Sequence, residues 1–130
     1  MTEKPAPNQE LRLAETNRVE AFSDGVFAII ITLLVLEIHR PAGAPGKLLE
    51  ELLHAWPSYA SYALAFLYVG IIWLNHHELF KHIYRVDLSL NCINLAGLGM
   101  TSLLPFPTGV MADAFRHGTL EDQKVAVVVY

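Results

Sequence analysis

Charged residues fall along this chain in blocks, and the gaps between the blocks set its architecture. Residues 55–75 form a run of 21 without Asp, Glu, Lys or Arg. Residues 88–112 form a run of 25 bracketed by Asp87 and Asp113, and residues 25–36 form a run of 12 built from Gly, Val, Phe, Ala, Ile, Thr and Leu. A helix rises about 1.5 Å per residue, so about 20 apolar residues cross the roughly 30 Å hydrocarbon layer of a bilayer. The runs at 55–75 and 88–112 are long enough alone. The run at 25–36 is long enough if its helix extends back through Asp24 and Phe22 toward Arg18. The pattern predicts an all-α, polytopic transmembrane helix bundle with three spans and the start of a fourth.

The elements expected are a disordered tail at 1–10, a first transmembrane helix at 11–38, and a loop with an interfacial helix at 39–54. A second span at 55–80 and a third at 88–112 follow, and a fourth helix begins within 119–130. In residues 47–54, Leu48, Leu49, Leu52 and Leu53 share one face and Glu50 and Glu51 the other, the pattern of a helix lying at an interface. Pro57 suits the first turn of the second span, where its missing N–H costs nothing. Pro105 and Pro107 should kink or end the third span. The apolar residues 125–130 are too few to cross a bilayer and read as an opening helix, so the chain reads as the N-terminal half of a longer protein. A signal peptide is excluded for the first run, which follows Glu15, Glu20 and Asp24 and lacks a small-residue cleavage pattern before Glu37.

Composition narrows the function classes. Hydrophobic residues make up 53% and charged residues 17%, against about 25% charged in soluble domains. Nine Lys and Arg residues are scattered singly under a net charge of −4, which argues against a nucleic-acid footprint. The single cysteine, Cys92, excludes an internal disulfide and any multi-cysteine metal site, and reads as a small buried residue. With the N-terminus cytoplasmic, Lys4, Arg12, Arg18, Lys81 and Arg85 lie inside and Arg40, Lys47, Arg116 and Lys124 outside, a narrow bias under the positive-inside rule.

Candidate chemistry is sparse. Arg18 and Asp24 beside an apolar run are costly unless partnered or wet. Six apart, they are not ideal intrahelical partners. Either Ser23 and Asp24 cap a helix starting at Gly25 while Arg18 reaches the headgroups, or each pairs with another helix. His76 and His77 diverge by about 100° on a helix and cannot easily share an ion, and Glu78 with His82 makes only two ligands. No metal site, cofactor or catalytic residue is assigned, and no enzyme is expected. Tyr59, Tyr62 and Trp73 suit interface anchoring and helix packing. Ala96, Gly97 and Gly99 suit close helix approach.

The segment Arg18-x-x-x-Phe22-Ser23-Asp24, followed by GVFAI and TLLVLEI, resembles the signature of the transmembrane protein 175 family of potassium channels. The stretches Trp73-Leu-Asn-His-His77 and Leu104-Pro105-Phe106-Pro107 are also similar to the family pattern. The resemblance implies a prokaryotic-type subunit of six transmembrane helices, a homotetramer, a pore lined by the first helix, and no TVGYG filter. It implies that Ile29, Leu33 and Leu36, at i, i+4 and i+7, form hydrophobic pore layers with Thr32 beside them, closed by dewetting and passing potassium ions with modest selectivity. It further implies that Arg18, Phe22, Ser23 and Asp24 belong to a structural hydrogen-bonded network. Trp73, Asn75 and His77 are the candidate partners, since antiparallel spans bring them to the same depth. Partners expected are the lipid bilayer, further copies of the chain and potassium ions, in a prokaryotic plasma membrane. A non-conducting membrane scaffold and a proton-coupled transporter using Asp24 and His77 are the alternatives.

Overall fold

Six helices follow one another in the computed structural model, which describes residues 7–38 and 45–130. They are α1 (Pro7–Leu34), running on into a 3-10 turn (Val35–Glu37), α2 (Leu48–His54), α3 (Trp56–Phe80), α4 (Leu88–Ser102), α5 (Pro105–His117) and α6 (Leu120–Val129). Pro7, whose ring pre-sets a helical φ, opens α1, so residues 7–10 are helical where a disordered tail was expected. The remainder of that tail, and residues 39–44 of the expected loop, lie outside the described residues. Gly46 enters α2 at φ +89°, a conformation that glycine adopts without steric penalty.

Side-chain chemistry fixes the helix ends. Asp87 caps α4 by accepting the Leu90 N–H at 2.8 Å. Thr119 and Asp122 close a reciprocal capping box at the start of α6. The Thr119 N–H and hydroxyl both donate to Asp122 Oδ2, at 2.8 and 2.7 Å, and hold that carboxyl below its ordinary pKa. The third span is broken rather than continuous and runs past residue 112 to His117. Pro105 lacks the N–H that would reach Thr101, so α4 stops at Ser102, and Leu103 and Leu104 satisfy the Met100 and Thr101 carbonyls in 3-10 fashion. Pro105 then begins α5, where its fixed φ is an advantage.

The core is small and joins α1, α3 and α4: Phe27, Ile30 and Leu34 pack with Ala65, Val69 and Leu98. Val26, Ile31, Tyr62, Ile72, Leu104 and Tyr130 close around them. Most apolar surface faces outward. In the most apolar window of each candidate span only 22, 28 and 33% of residues are buried, in Ala14–Glu37, Trp56–Phe80 and Leu88–His117 respectively. Cys92, expected to be buried, is exposed on α4. A chain with three such helices is an integral membrane protein: its exterior suits hydrocarbon, and its helices satisfy their own backbone.

The α5–α6 corner is the tightest backbone approach. The Gly118 N–H bonds the Ala114 carbonyl at 2.9 Å, and a Cβ on Gly118 would lie 2.5 Å from that oxygen and 3.0 Å from Asp122 Cβ. Gly118→Ala should therefore force the corner open at a cost of about 1–3 kcal/mol. The check is the thermal unfolding midpoint in detergent, which should fall; an unchanged midpoint contradicts the packing described.

Candidate functional site

Two helix faces of the same spacing meet at one end of the bundle. From α1 come Glu20, Ser23, Asp24 and Phe27; from α3 come Trp73, His76, His77 and Phe80. Each set stands at i, i+3, i+4 and i+7, one stripe of a helix. The helices are antiparallel, so a step of four residues up α1 matches four down α3. His77 Nδ1 lies 2.8 Å from Glu20 Oε1, and Trp73 Nε1–H donates to Asp24 Oδ1 at 2.8 Å. The Glu20–His77 approach is a close charge contact rather than an aligned hydrogen bond. Trp73 stacks on His77, ring centroids 5.8 Å apart and planes at 19°.

Asn94 brings α4 into this seam. The Ser23 hydroxyl donates to the Val19 carbonyl at 2.9 Å, so its oxygen accepts from Asn94 Nδ2 at 2.9 Å. Asn94 Oδ1 then accepts from His76 Nε2 at 2.8 Å. A carbonyl can only accept, and that fact sets the direction of the whole chain and assigns His76 the Nε2–H tautomer. The His76 ring sits between Phe80, stacked at 4.5 Å, and Phe27, edge-on at 5.2 Å, with Nδ1 enclosed and unbonded. Ser23 is fully buried and Asn94 and His76 are half-buried, so the chain pairs the enclosed hydroxyl with the amide and the amide with the imidazole.

Of the residues the sequence singled out, Ser23, Asp24, Trp73 and His77 lie in this seam. Asn75 does not: it is exposed and makes no hydrogen bond among the described residues. Two positions from Trp73 and one from His76, it is rotated about 100–200° away from α1. Arg18 and Phe22 line the adjoining groove, a cavity of about 490 Å³ walled also by Glu15, Val19, Val86, Asn91, Asn94 and Leu95. Among the described residues Arg18 makes no ion pair. Sequence reasoning missed Glu20, His76 and Asn94. The signals were there: Glu20 stands one turn before Asp24, and Asn94 is a polar amide inside an uncharged run, where such a residue tends to bond across helices.

A second face of α1 is exposed. Ser23, Phe27, Ile30 and Leu34 are buried at i, i+4, i+7 and i+11, while Ile29, Leu33 and Leu36 are 60, 42 and 71% exposed. Thr32 is exposed beside them, and its hydroxyl donates to the Ile29 carbonyl at 2.7 Å. Leu36 belongs to the 3-10 turn, so the stripe ends where the α-helical register ends.

A polar seam that locks one face of the first span, with an exposed apolar face beside it, belongs to a polytopic membrane protein. The profile of the family described as "Endosomal/lysosomal potassium channel TMEM175" matches residues 18–105, and the chain belongs to that family. A Streptomyces collinus protein named as a potassium channel is 48% identical over 117 residues, covering 89% of this chain and 56% of its own length. One from Chamaesiphon minutus, also named as a potassium channel, is 41% identical over 129 residues, covering 96% of this chain and 60% of its own. The crystal structure of a potassium-selective TMEM175 homologue from Chamaesiphon minutus superposes with a TM-score of 0.82, over 90% of this chain and 62% of that one. The chain thus spans about half the length of the curated relatives it matches.

The seam makes an asymmetric prediction for two asparagines. Asn94→Leu strips His76 Nε2 and Ser23 Oγ of their partner and should cost about 1–3 kcal/mol, whereas Asn75→Leu should change little. Thermal unfolding of both variants in detergent decides it; equal losses would remove the distinction drawn between the two sites.

Proposed function

We propose that the chain is the pore-forming part of a potassium-permeable channel subunit, and that copies of α1 gather around a common axis in a homotetramer. The observation that carries this reading is the division of α1 into a buried stripe locked to α3 and α4 and an exposed stripe of Ile29, Leu33 and Leu36. An apolar face left open on a helix whose rotation is fixed is what a shared hydrophobic constriction requires. Family membership and the potassium-channel names of the bacterial relatives support the same reading.

Such a constriction closes by dewetting: a narrow ring of Ile29 side chains excludes water, and ions with it. Slight widening or rotation of those side chains admits a partly hydrated potassium ion. The Thr32 hydroxyl, its proton committed to the Ile29 carbonyl, offers only acceptor lone pairs, the polarity that replaces lost hydration around a cation. Asp24 and the seam residues hold the pore helix and do not contact the ion. The N-terminus lies in the cytoplasm of a prokaryotic cell, with the protein in the plasma membrane.

Ile29→Asn tests this directly. In liposomes carrying a potassium gradient the variant should leak severalfold faster than wild type, because an amide ring keeps the constriction wet. Unchanged flux and open probability would detach the stripe from any pore. Wild-type flux that stops without a proton gradient would favour a coupled transporter, and absence of flux from both proteins would favour a scaffold.

A further inference from the structure

The seam brings together a set of donors that the linear sequence separates. Glu20 and Asp24 lie one turn apart on α1, and His77 faces both from α3. One carboxylate oxygen of each acid and one imidazole nitrogen all fall within 4.8 Å of one another. We propose that Glu20, Asp24 and His77 bind a borderline divalent cation, for which Zn²⁺ is the matching probe.

Donor chemistry favours this class of ion. Two carboxylates and an imidazole are the ligand types of a three-residue zinc site that keeps a fourth position for water. Tetrahedral coordination at about 2.0–2.2 Å requires ligand atoms roughly 3.3 Å apart, a modest closure from the spacing observed. His77 Nδ1 is already 2.8 Å from Glu20 Oε1 without an aligned hydrogen bond between them. An imidazole nitrogen and a carboxylate oxygen therefore already converge at this point. Trp73 supplies the outer support: its indole N–H holds Asp24 Oδ1, leaving Oδ2 for the ion, and its ring stacks on His77.

Charge balance points the same way. Like charges one turn apart on a helix repel, and more strongly at the edge of a low-dielectric layer than in water. Among the described residues no lysine or arginine pairs with Glu20 or Asp24; Glu20 lies against His77, and Asp24 accepts from the Trp73 indole. The Glu78 carboxylate nearby differs, being bonded to Lys81 at 2.8 Å. The Glu20 and His77 side chains are 23 and 38% exposed, while His77 Nδ1 itself is enclosed. Once bound, it ties α1 to α3 beside the Trp73–Asp24 bond. Any effect on conduction rests on the pore reading above; the binding itself does not.

The test uses the purified chain in detergent with any polyhistidine tag removed, titrated with Zn²⁺ by calorimetry and followed by thermal unfolding. Wild type should bind one ion per chain and melt higher in its presence. Glu20→Gln and His77→Gln should each weaken binding by about tenfold or more, while His82→Gln should not. Without zinc, Glu20→Gln should be at least as stable as wild type, because it relieves repulsion; a structural Glu20–His77 ion pair would instead make it less stable. No saturable binding by wild type, retention of affinity in both Glu20→Gln and His77→Gln, or a zinc-free Glu20→Gln that melts lower would each overturn the proposal.

Discussion

A buried hydroxyl and a half-buried amide and imidazole set among apolar side chains favour one another, because an unpaired polar group there is costly. The Ser23–Asn94–His76 chain is that encounter, and the rest of the fold depends on it. It has a single allowed direction, set by the Val19 carbonyl at one end, and it draws one residue from each of three helices. Apolar packing inside a membrane is weakly directional, since a leucine touching lipid and a leucine touching a helix differ little in solvation. A polar chain is directional. It fixes which face of α1 looks inward, and so which face remains.

That constraint explains how an almost uniformly apolar helix acquires two distinct sides. Phe27, Ile30 and Leu34 are buried because they continue the stripe begun at Ser23; Ile29 and Leu33 are exposed because they lie roughly 90–130° round the helix from it. Rotating α1 by one residue would place Asp24 where Ser23 sits, fully enclosed, and would break both the Trp73 bond and the Asn94 bond. The apolar stripe is therefore positioned by polar residues one to two turns away from it. Division of labour along the helix follows: one end carries hydrogen bonds and charge, and the other carries only volume.

The architecture was legible in the sequence because it depends on runs without charge, and the bilayer makes run length a physical criterion. The spans at 55–80 and 88–112, the amphipathic turn at 47–54 and the bend near Pro105 can all be read that way. The family signature from Arg18 to Asp24 was legible because it is long and specific. Rotation about the helix axes was harder to read. On α3, Trp73, Asn75 and His77 form one short polar run, and only the packing shows that Asn75 turns away while His76 turns in. Glu20 reads as one more charge in an amphipathic lead-in until the antiparallel pairing sets it against His77. The stripe of Ile29, Leu33 and Leu36 has no periodic contrast with its neighbours, so its exposure comes from tertiary structure alone.

If the exposed stripe lines a constriction, as proposed above, the distribution of polarity bears on how it would be controlled. A constriction closed by dewetting tolerates no charge within it, since a single carboxylate would hold water and keep it open. A control element must then act from outside the apolar stripe, through the position of the helix rather than the chemistry of its lining. Among the described residues, the titratable side chains that α1 shares with α3 at the seam are Glu20 and Asp24, which face His77 and Trp73. Asp24 is five residues, and Glu20 nine, before Ile29 on one continuous helix, about 7.5 and 13.5 Å at the α-helical rise. On the pore reading proposed above, a charge, proton or cation that alters how α1 sits on α3 would reach Ile29 as a rotation or tilt of the helix.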